Sequence, residues 1–121
     1  MQSIMLKSKL HKATVTEVDM EYEGSLTIDS ELMAAVKMLP YEKILVANIA
    51  NGERFETYAI PAEPGSGMIC LNGATAHKGS IGDRLIVFAF GVVPEEDLAQ
   101  HRPLILVLDK NNKPVNGLKD V

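Results

Sequence analysis

Pairs of turn-forming residues cut this chain at short intervals, leaving little room for long helices. Asn51-Gly52, Asn72-Gly73 and Gly82-Asp83 each stand between short apolar segments, and such segments bounded by Gly, Asn and Asp read as strands. Asn51-Gly52 is the strongest of these signals. Lys43 to Ala50 and Glu53 to Ile60 flank it, which predicts a hairpin closed by a type I′ turn whose two central residues need positive φ. Arg54 and Tyr58 then share one face of the second strand.

The same period-2 logic extends along the chain. Ile4, Leu6 and Leu10 alternate with Lys7, Lys9 and His11, predicting a half-buried first strand that continues through Ala13 to Thr16 and projects Lys9 and His11 from one face. Glu21 to Ser25 is turn-like, and Leu26 to Ile28 is a short strand. Asp29 is a candidate N-cap for a helix that buries Leu32, Met33, Val36 and Leu39 and stops at Pro40. Further on, Pro61 to Gly67 is a loop, Met68 to Leu71 a buried strand, and Asn72-Gly73 a turn. Arg84 to Phe90 and Leu104 to Leu108 are strands, and Pro94 followed by Glu95, Glu96 and Asp97 starts a second short helix. Several short strands with two short helices predict a mainly β protein, a closed or nearly closed barrel in which closure removes exposed strand edges.

At 121 residues the chain is the size of one domain, 1–121, which buries roughly two-thirds of its unfolded surface. A net charge of −4, with three Tyr, three Phe and no Trp, argues against a nucleic-acid partner. The longest apolar run, Leu85 to Val93, is about half the ~20 residues a membrane-spanning helix needs. The N-terminus lacks the apolar stretch and cleavage site of a secretory signal, so a cytoplasmic protein without membrane association is expected. Cys70, the single cysteine, is expected to be a buried, inert thiol. No His-Glu-x-x-His or cysteine pair is present, so no metal site is expected. Lys78-Gly79-Ser80 has the wrong order for a phosphate loop. His77 and His101 have no evident partner and read as surface residues.

Lys9-Leu10-His11, Val15-Thr16-Glu17, Tyr22-Glu23-Gly24-Ser25, Asn51-Gly52-Glu53-Arg54, Thr57-Tyr58 and Leu71-Asn72-Gly73-Ala74 follow one another in an order and spacing that resemble the aspartate 1-decarboxylase family. The resemblance runs from Met5 to about Phe90 and is weaker beyond. It implies a double-psi β-barrel, a homotetramer with active sites at subunit boundaries, and self-cleavage between Gly24 and Ser25 into chains 1–24 and 25–121. Two other Gly-Ser pairs, Gly65-Ser66 and Gly79-Ser80, lie outside that cleavage context and read as turns.

In such a protein Ser25 becomes a covalent pyruvoyl group, with neither metal nor PLP added, and the group serves as the electron sink for decarboxylation of L-aspartate to β-alanine, a precursor of pantothenate and coenzyme A. The resemblance assigns Thr57 to stabilising the negative oxygen formed during cleavage and Tyr58 to proton donation. Arg54, Lys9 and His11 suit the two carboxylates of the substrate. Asn72, Gly73 and Ala74 form the loop around the pyruvoyl group, and Tyr22 borders the cleavage site. An ideal strand points Thr57 away from the face of Arg54 and Tyr58, which calls for a bulge or for a contact with another chain segment. Ala47 and Thr75 depart from the family's pattern, Thr75 beside the pocket. A maturation helper protein is a possible partner. The competing expectations are a pyruvoyl decarboxylase of another acidic amino acid such as glutamate, and an uncleaved, non-catalytic barrel acting as a binding or scaffold subunit.

Overall fold

The computed structural model describes all 121 residues. Eight strands run in chain order as β1 (Gln2–Thr14), β2 (Glu17–Asp19), β3 (Leu26–Asp29), β4 (Lys43–Asn48), β5 (Arg54–Ala62), β6 (Ile69–Asn72), β7 (Arg84–Pro94) and β8 (Leu104–Val107). One α-helix, α1 (Ser30–Ala35), follows β3, and two 3-10 turns cover Gly73–Lys78 and Glu95–Asp97. The strands pair in the order β2-β6-β3-β5-β4-β7-β1-β8. β1 and β2 are successive parts of one extended stretch that pairs near both ends of this order. Val15 N–H donates to Asp83 O (2.9 Å) and Thr16 N–H to Ile69 O (2.8 Å), so the chain changes partner within two residues and wraps the sheet on itself. The result is the mainly β, double-psi barrel, enclosing one core that includes Leu10, Leu26, Ile28, Ile44, Val46, Ile69, Leu71, Leu85 and Val87.

The first strand departs from simple alternation. A register shift between Leu6 and Ser8 against β7 inserts an extra residue, which reverses the faces on either side of it. Ser8 and Leu10 are buried, whereas Ile4 is 75% exposed; the expectation that Ile4 and Leu10 share the core face is therefore corrected. Ser8, at a core position, donates its hydroxyl to Val36 O. Outside the barrel, Ile4 pairs with Val92 and Leu6 with Phe90, leaving an apolar outer strip.

The Asn51-Gly52 connection joins antiparallel strands, but not by a two-residue type I′ turn. Asn48 N–H donates to Glu53 O (2.8 Å), and the loop contains Ile49 to Gly52. Only Gly52 has positive φ (75°). Asn48 and Asn51 instead accept backbone N–H groups of Ala50 and Glu53, each at 2.9 Å, and these side-chain bonds stabilise a longer turn.

α1 is also shorter than predicted. Asp29 caps it by accepting from Glu31 N–H (2.9 Å), but Lys37 takes φ 56°, and Met38 N–H returns to Met33 O at 2.8 Å. This is a Schellman closure. It carries Met38 into the core and leaves Leu39 60% exposed, so Leu39 is not a core residue. Asn72 ends β6, and Gly73 opens a 3-10 turn in place of a simple reversal. His101 is not partnerless: its Nε2 lies 2.7 Å from Leu6 O.

Candidate active site

Ser25 sits at the entry to β3, 1% exposed, with φ 84°, next to Gly24 at φ 111°. A β-carbon makes positive φ costly, by about 1–3 kcal/mol. The strained bond is thus the one between Gly24 and Ser25, and it is clamped from several sides. Asn72 N–H donates to Ser25 O (3.1 Å), and Thr75 Oγ1 reaches the same carbonyl at 3.4 Å while donating to Asn72 O at 2.7 Å. Gly73, at φ 59°, packs flat on the Tyr22–Gly24 segment. A β-carbon there would lie 2.7 Å from Gly24 N and Tyr22 O and 2.9 Å from Gly24 Cα, closer than such atoms can stand.

The serine hydroxyl has its own partner. Asn72 Nδ2 donates to Ser25 Oγ (3.1 Å) and to Thr27 Oγ1 (2.7 Å), and Cys70 Sγ donates to Asn72 Oδ1 (3.1 Å). This cluster follows from antiparallel pairing of β3 with β6, in which Thr27 stands opposite Cys70 and Leu26 opposite Leu71. Leu26, Ile28, Ile69 and Leu71 fill the core. Period 2 therefore sends Ser25, Thr27, Cys70 and Asn72 to the other face of the ladder. Thr27 and Cys70 were missed as site residues. Their signal was the shared parity with Ser25 and Asn72, which has meaning only once β3 and β6 are known to pair.

β5 lies parallel on the other side of β3, with Leu26 beside Ala59. Ser25 and Gly24 precede this ladder, toward the part of β5 that holds Tyr58 and Thr57. The β4–β5 pairing runs without a shift from Lys43↔Tyr58 to Ala47↔Arg54, so no bulge turns Thr57. It points to the Phe55 and Ala59 side. Tyr58, 36% exposed, is on Ser25's side of the sheet. It lines a cleft of about 390 Å³ with Glu21, Tyr22, Glu23, Tyr41 and Ile60, so Tyr22 and Tyr58 share this cleft.

The cations are elsewhere. Lys9 and His11 lie on β1, which β5, β4 and β7 separate from β3. Lys9 Nζ stands 5.7 Å from the Phe88 ring centroid. His11 Nδ1 is buried without a hydrogen-bond partner. Burial first, then the charges of Lys9, Lys12, Lys119 and Arg84, hold the His11 pKa below its ordinary value, which keeps the ring neutral at pH 7. Arg54 shares the face of Tyr58 but is four residues away, about 13 Å along a strand. None of Lys9, His11 and Arg54 hydrogen-bonds to a residue around Ser25. Ala74 is exposed on the 3-10 turn, and His77 is exposed too. Ala47 is buried in β4, away from this cluster.

A buried serine at positive φ, preceded by glycine and bonded through its hydroxyl and its carbonyl, holds a hydroxyl beside the peptide carbonyl that precedes it in the chain. No group of three or more His, Cys, Asp or Glu residues is placed to hold a metal ion, and no helix is long and apolar enough to cross a membrane. The sequence pattern of the family described as aspartate decarboxylase matches residues 1–115. Curated relatives named aspartate 1-decarboxylase include one from Syntrophobacter fumaroxidans, 52% identical over 98% of this chain and 97% of its own. Another, from Thioalkalivibrio sulfidiphilus, is 53% identical over 97% of this chain and 93% of its own. A third, from Tolumonas auensis, is 50% identical over 100% and 96%. With identity at this level over both full lengths, the chain belongs to the aspartate decarboxylase family.

Proposed function

We propose that the protein decarboxylates L-aspartate to β-alanine and carbon dioxide, supplying pantothenate synthesis, after cutting itself between Gly24 and Ser25. The observation that carries this reading is the Gly24–Ser25 peptide, held at two positive φ values with Ser25 Oγ bonded to Asn72. In the first step Ser25 Oγ attacks the Gly24 carbonyl carbon. A C–O bond forms, the C–N bond breaks, and the proton of the hydroxyl ends on the freed Ser25 nitrogen, leaving an ester. Loss of the Ser25 α-proton then expels the Gly24 carboxylate, and water converts the resulting dehydroalanine to a ketone with release of ammonia. The negative oxygen formed on Gly24 during the attack is assigned to the Thr57 hydroxyl, a donor of a kind worth ~2.7–4 kcal/mol in comparable sites.

The pyruvoyl group so formed supplies the electron sink for loss of carbon dioxide. Tyr58, lining the cleft with Tyr22, holds the proton that the product carbon receives. Asn72, Gly73, Ala74 and Thr75 form the wall over the new terminus. Arg54, Lys9 and His11 bind the carboxylates from a neighbouring subunit: they stand apart from Ser25 within one protomer, and the outer strip of Ile4, Phe90 and Val92 is an apolar patch that self-association would cover. The homotetramer is part of this reading, as is a possible maturation helper.

Intact-mass measurement tests the proposal. Purified, active protein should contain chains 1–24 and 25–121, the latter lighter by one ammonia than a serine-started chain, and Ser25→Ala should remain whole and inactive. A single uncut chain that still releases β-alanine would refute the mechanism, and an uncut, inactive one would favour the scaffold reading.

A further inference from the structure

The two ends of the Asn72 amide are nearly the same shape, so the surrounding donors and acceptors determine which end faces Ser25. On the Ser25 side both neighbours are hydroxyls, Ser25 Oγ and Thr27 Oγ1. A hydroxyl can donate or accept, so these two alone leave the amide free to point either way. The third neighbour removes that freedom. Cys70 Sγ, 3.1 Å from Asn72 Oδ1, is a donor while it keeps its proton and only a weak acceptor. Burial first, then the carboxylates of Glu17 and Asp19, raises the Cys70 pKa above its ordinary value, so the thiol stays protonated at neutral pH.

We propose that Cys70 is a positioning residue for self-cleavage, its thiol turning the Asn72 amide so that nitrogen, and not oxygen, faces the Ser25 hydroxyl. This inference rests on the proposed cleavage at Gly24–Ser25. When Ser25 Oγ gives up its proton, that oxygen carries negative charge until its bond to the Gly24 carbonyl carbon forms and the charge passes to the Gly24 oxygen. An amide N–H pointed at Ser25 Oγ is stabilising, whereas an amide oxygen in the same place would repel it. Cys70 touches none of the reacting atoms. Its effect passes through Asn72, which it can reach because residues 70 and 72 share one face of β6.

The experiment compares Cys70→Ala and Cys70→Val, which remove the thiol donor with a slightly smaller and a slightly larger side chain. Cleavage of freshly purified precursor is followed by intact mass, alongside thermal unfolding. Loss of one buried hydrogen bond should slow cleavage roughly two- to tenfold in both. Native rates in both Ala and Val would overturn the inference. A second measurement uses the uncleavable Ser25→Ala background, where nuclear Overhauser contacts from the Asn72 NH₂ protons to Thr27 report the orientation directly. Those contacts should weaken when Cys70→Ala is added, and unchanged contacts would overturn the inference by themselves. A native protein that never cleaves would instead remove the proposed function, while this second measurement would still test the role of Cys70.

Discussion

Replacing Gly73 with alanine is the perturbation whose cost the geometry defines best. Two effects act. At φ 59° a side chain costs about 1 kcal/mol relative to glycine. The added β-carbon would also meet Gly24 N and Tyr22 O at 2.7 Å, and these are backbone atoms that cannot rotate away. Forcing a carbon into such a contact typically costs about 1–3 kcal/mol, so the total is about 2–4 kcal/mol. For a chain of this length each kcal/mol lowers the unfolding midpoint by roughly 3–5 °C. Gly52→Ala is the matched control. Gly52 has φ 75° but nothing within 4 Å of its β-carbon position, so it carries the strain without the clash and should lose only about 1 kcal/mol. Both changes reduce the entropy of the unfolded chain equally, and that contribution cancels in the comparison. Differential scanning fluorimetry at one protein concentration, with intact mass on the same samples, reads both quantities. Gly73→Ala should unfold at least about 3 °C below Gly52→Ala and cleave more slowly, because relief of the clash moves the Tyr22 to Gly24 segment. Equal midpoints with native cleavage in both would refute the claim that Gly73 positions the cleavage segment.

Asp29 accepts from Glu31 N–H (2.9 Å), Gly65 N–H (3.0 Å) and Gly67 N–H (2.9 Å) while 3% exposed, so Asp29→Ala should cost at least about 2 kcal/mol in denaturant unfolding; a loss below ~0.5 kcal/mol would show the loop anchored elsewhere. His11 resists protonation in the fold through burial and the charges of Lys9, Lys12, Lys119 and Arg84. As the pH falls below about 6.5 the unfolded chain takes up that proton before the native one does, so native stability declines on acidification. His11→Gln should flatten this slope of unfolding midpoint against pH between about pH 7 and 5, and an unchanged slope would assign it to other groups. Tyr58→Phe removes only the hydroxyl and should leave cleavage intact while lowering β-alanine formation by roughly 10²-fold or more; normal turnover would remove the proton-donor role.

Much of the architecture is local and was legible for that reason. Alternation identified the strands, Asp29 its cap, and the Gly and Asn pairs most of the reversals, because each depends on neighbours within a few residues. The resemblance carried by Tyr22 to Ser25, Thr57-Tyr58 and Leu71 to Ala74 pointed to the family. Local reading failed where a distant pairing or a cap not signalled by glycine intervened. The bulge beside Lys7 turned Ile4 outward and Ser8 into the core, and the Schellman closure at Lys37 exchanged Leu39 for Met38. His101 found Leu6 O, 95 positions away in the chain.

The chain by itself determines that a glycine and a serine meet in a turn before a strand, and which family that turn belongs to. Only the fold decides that β6 lies along β3, placing Cys70 and Asn72 against Thr27 and Ser25, and that Gly73 closes over Gly24 without a side chain between them. The physical reason is that strand pairing is a long-range choice, made by burying Leu26, Ile28, Ile69 and Leu71 together. Once those side chains share a core, pleat parity sends the four polar ones to the opposite face as a group.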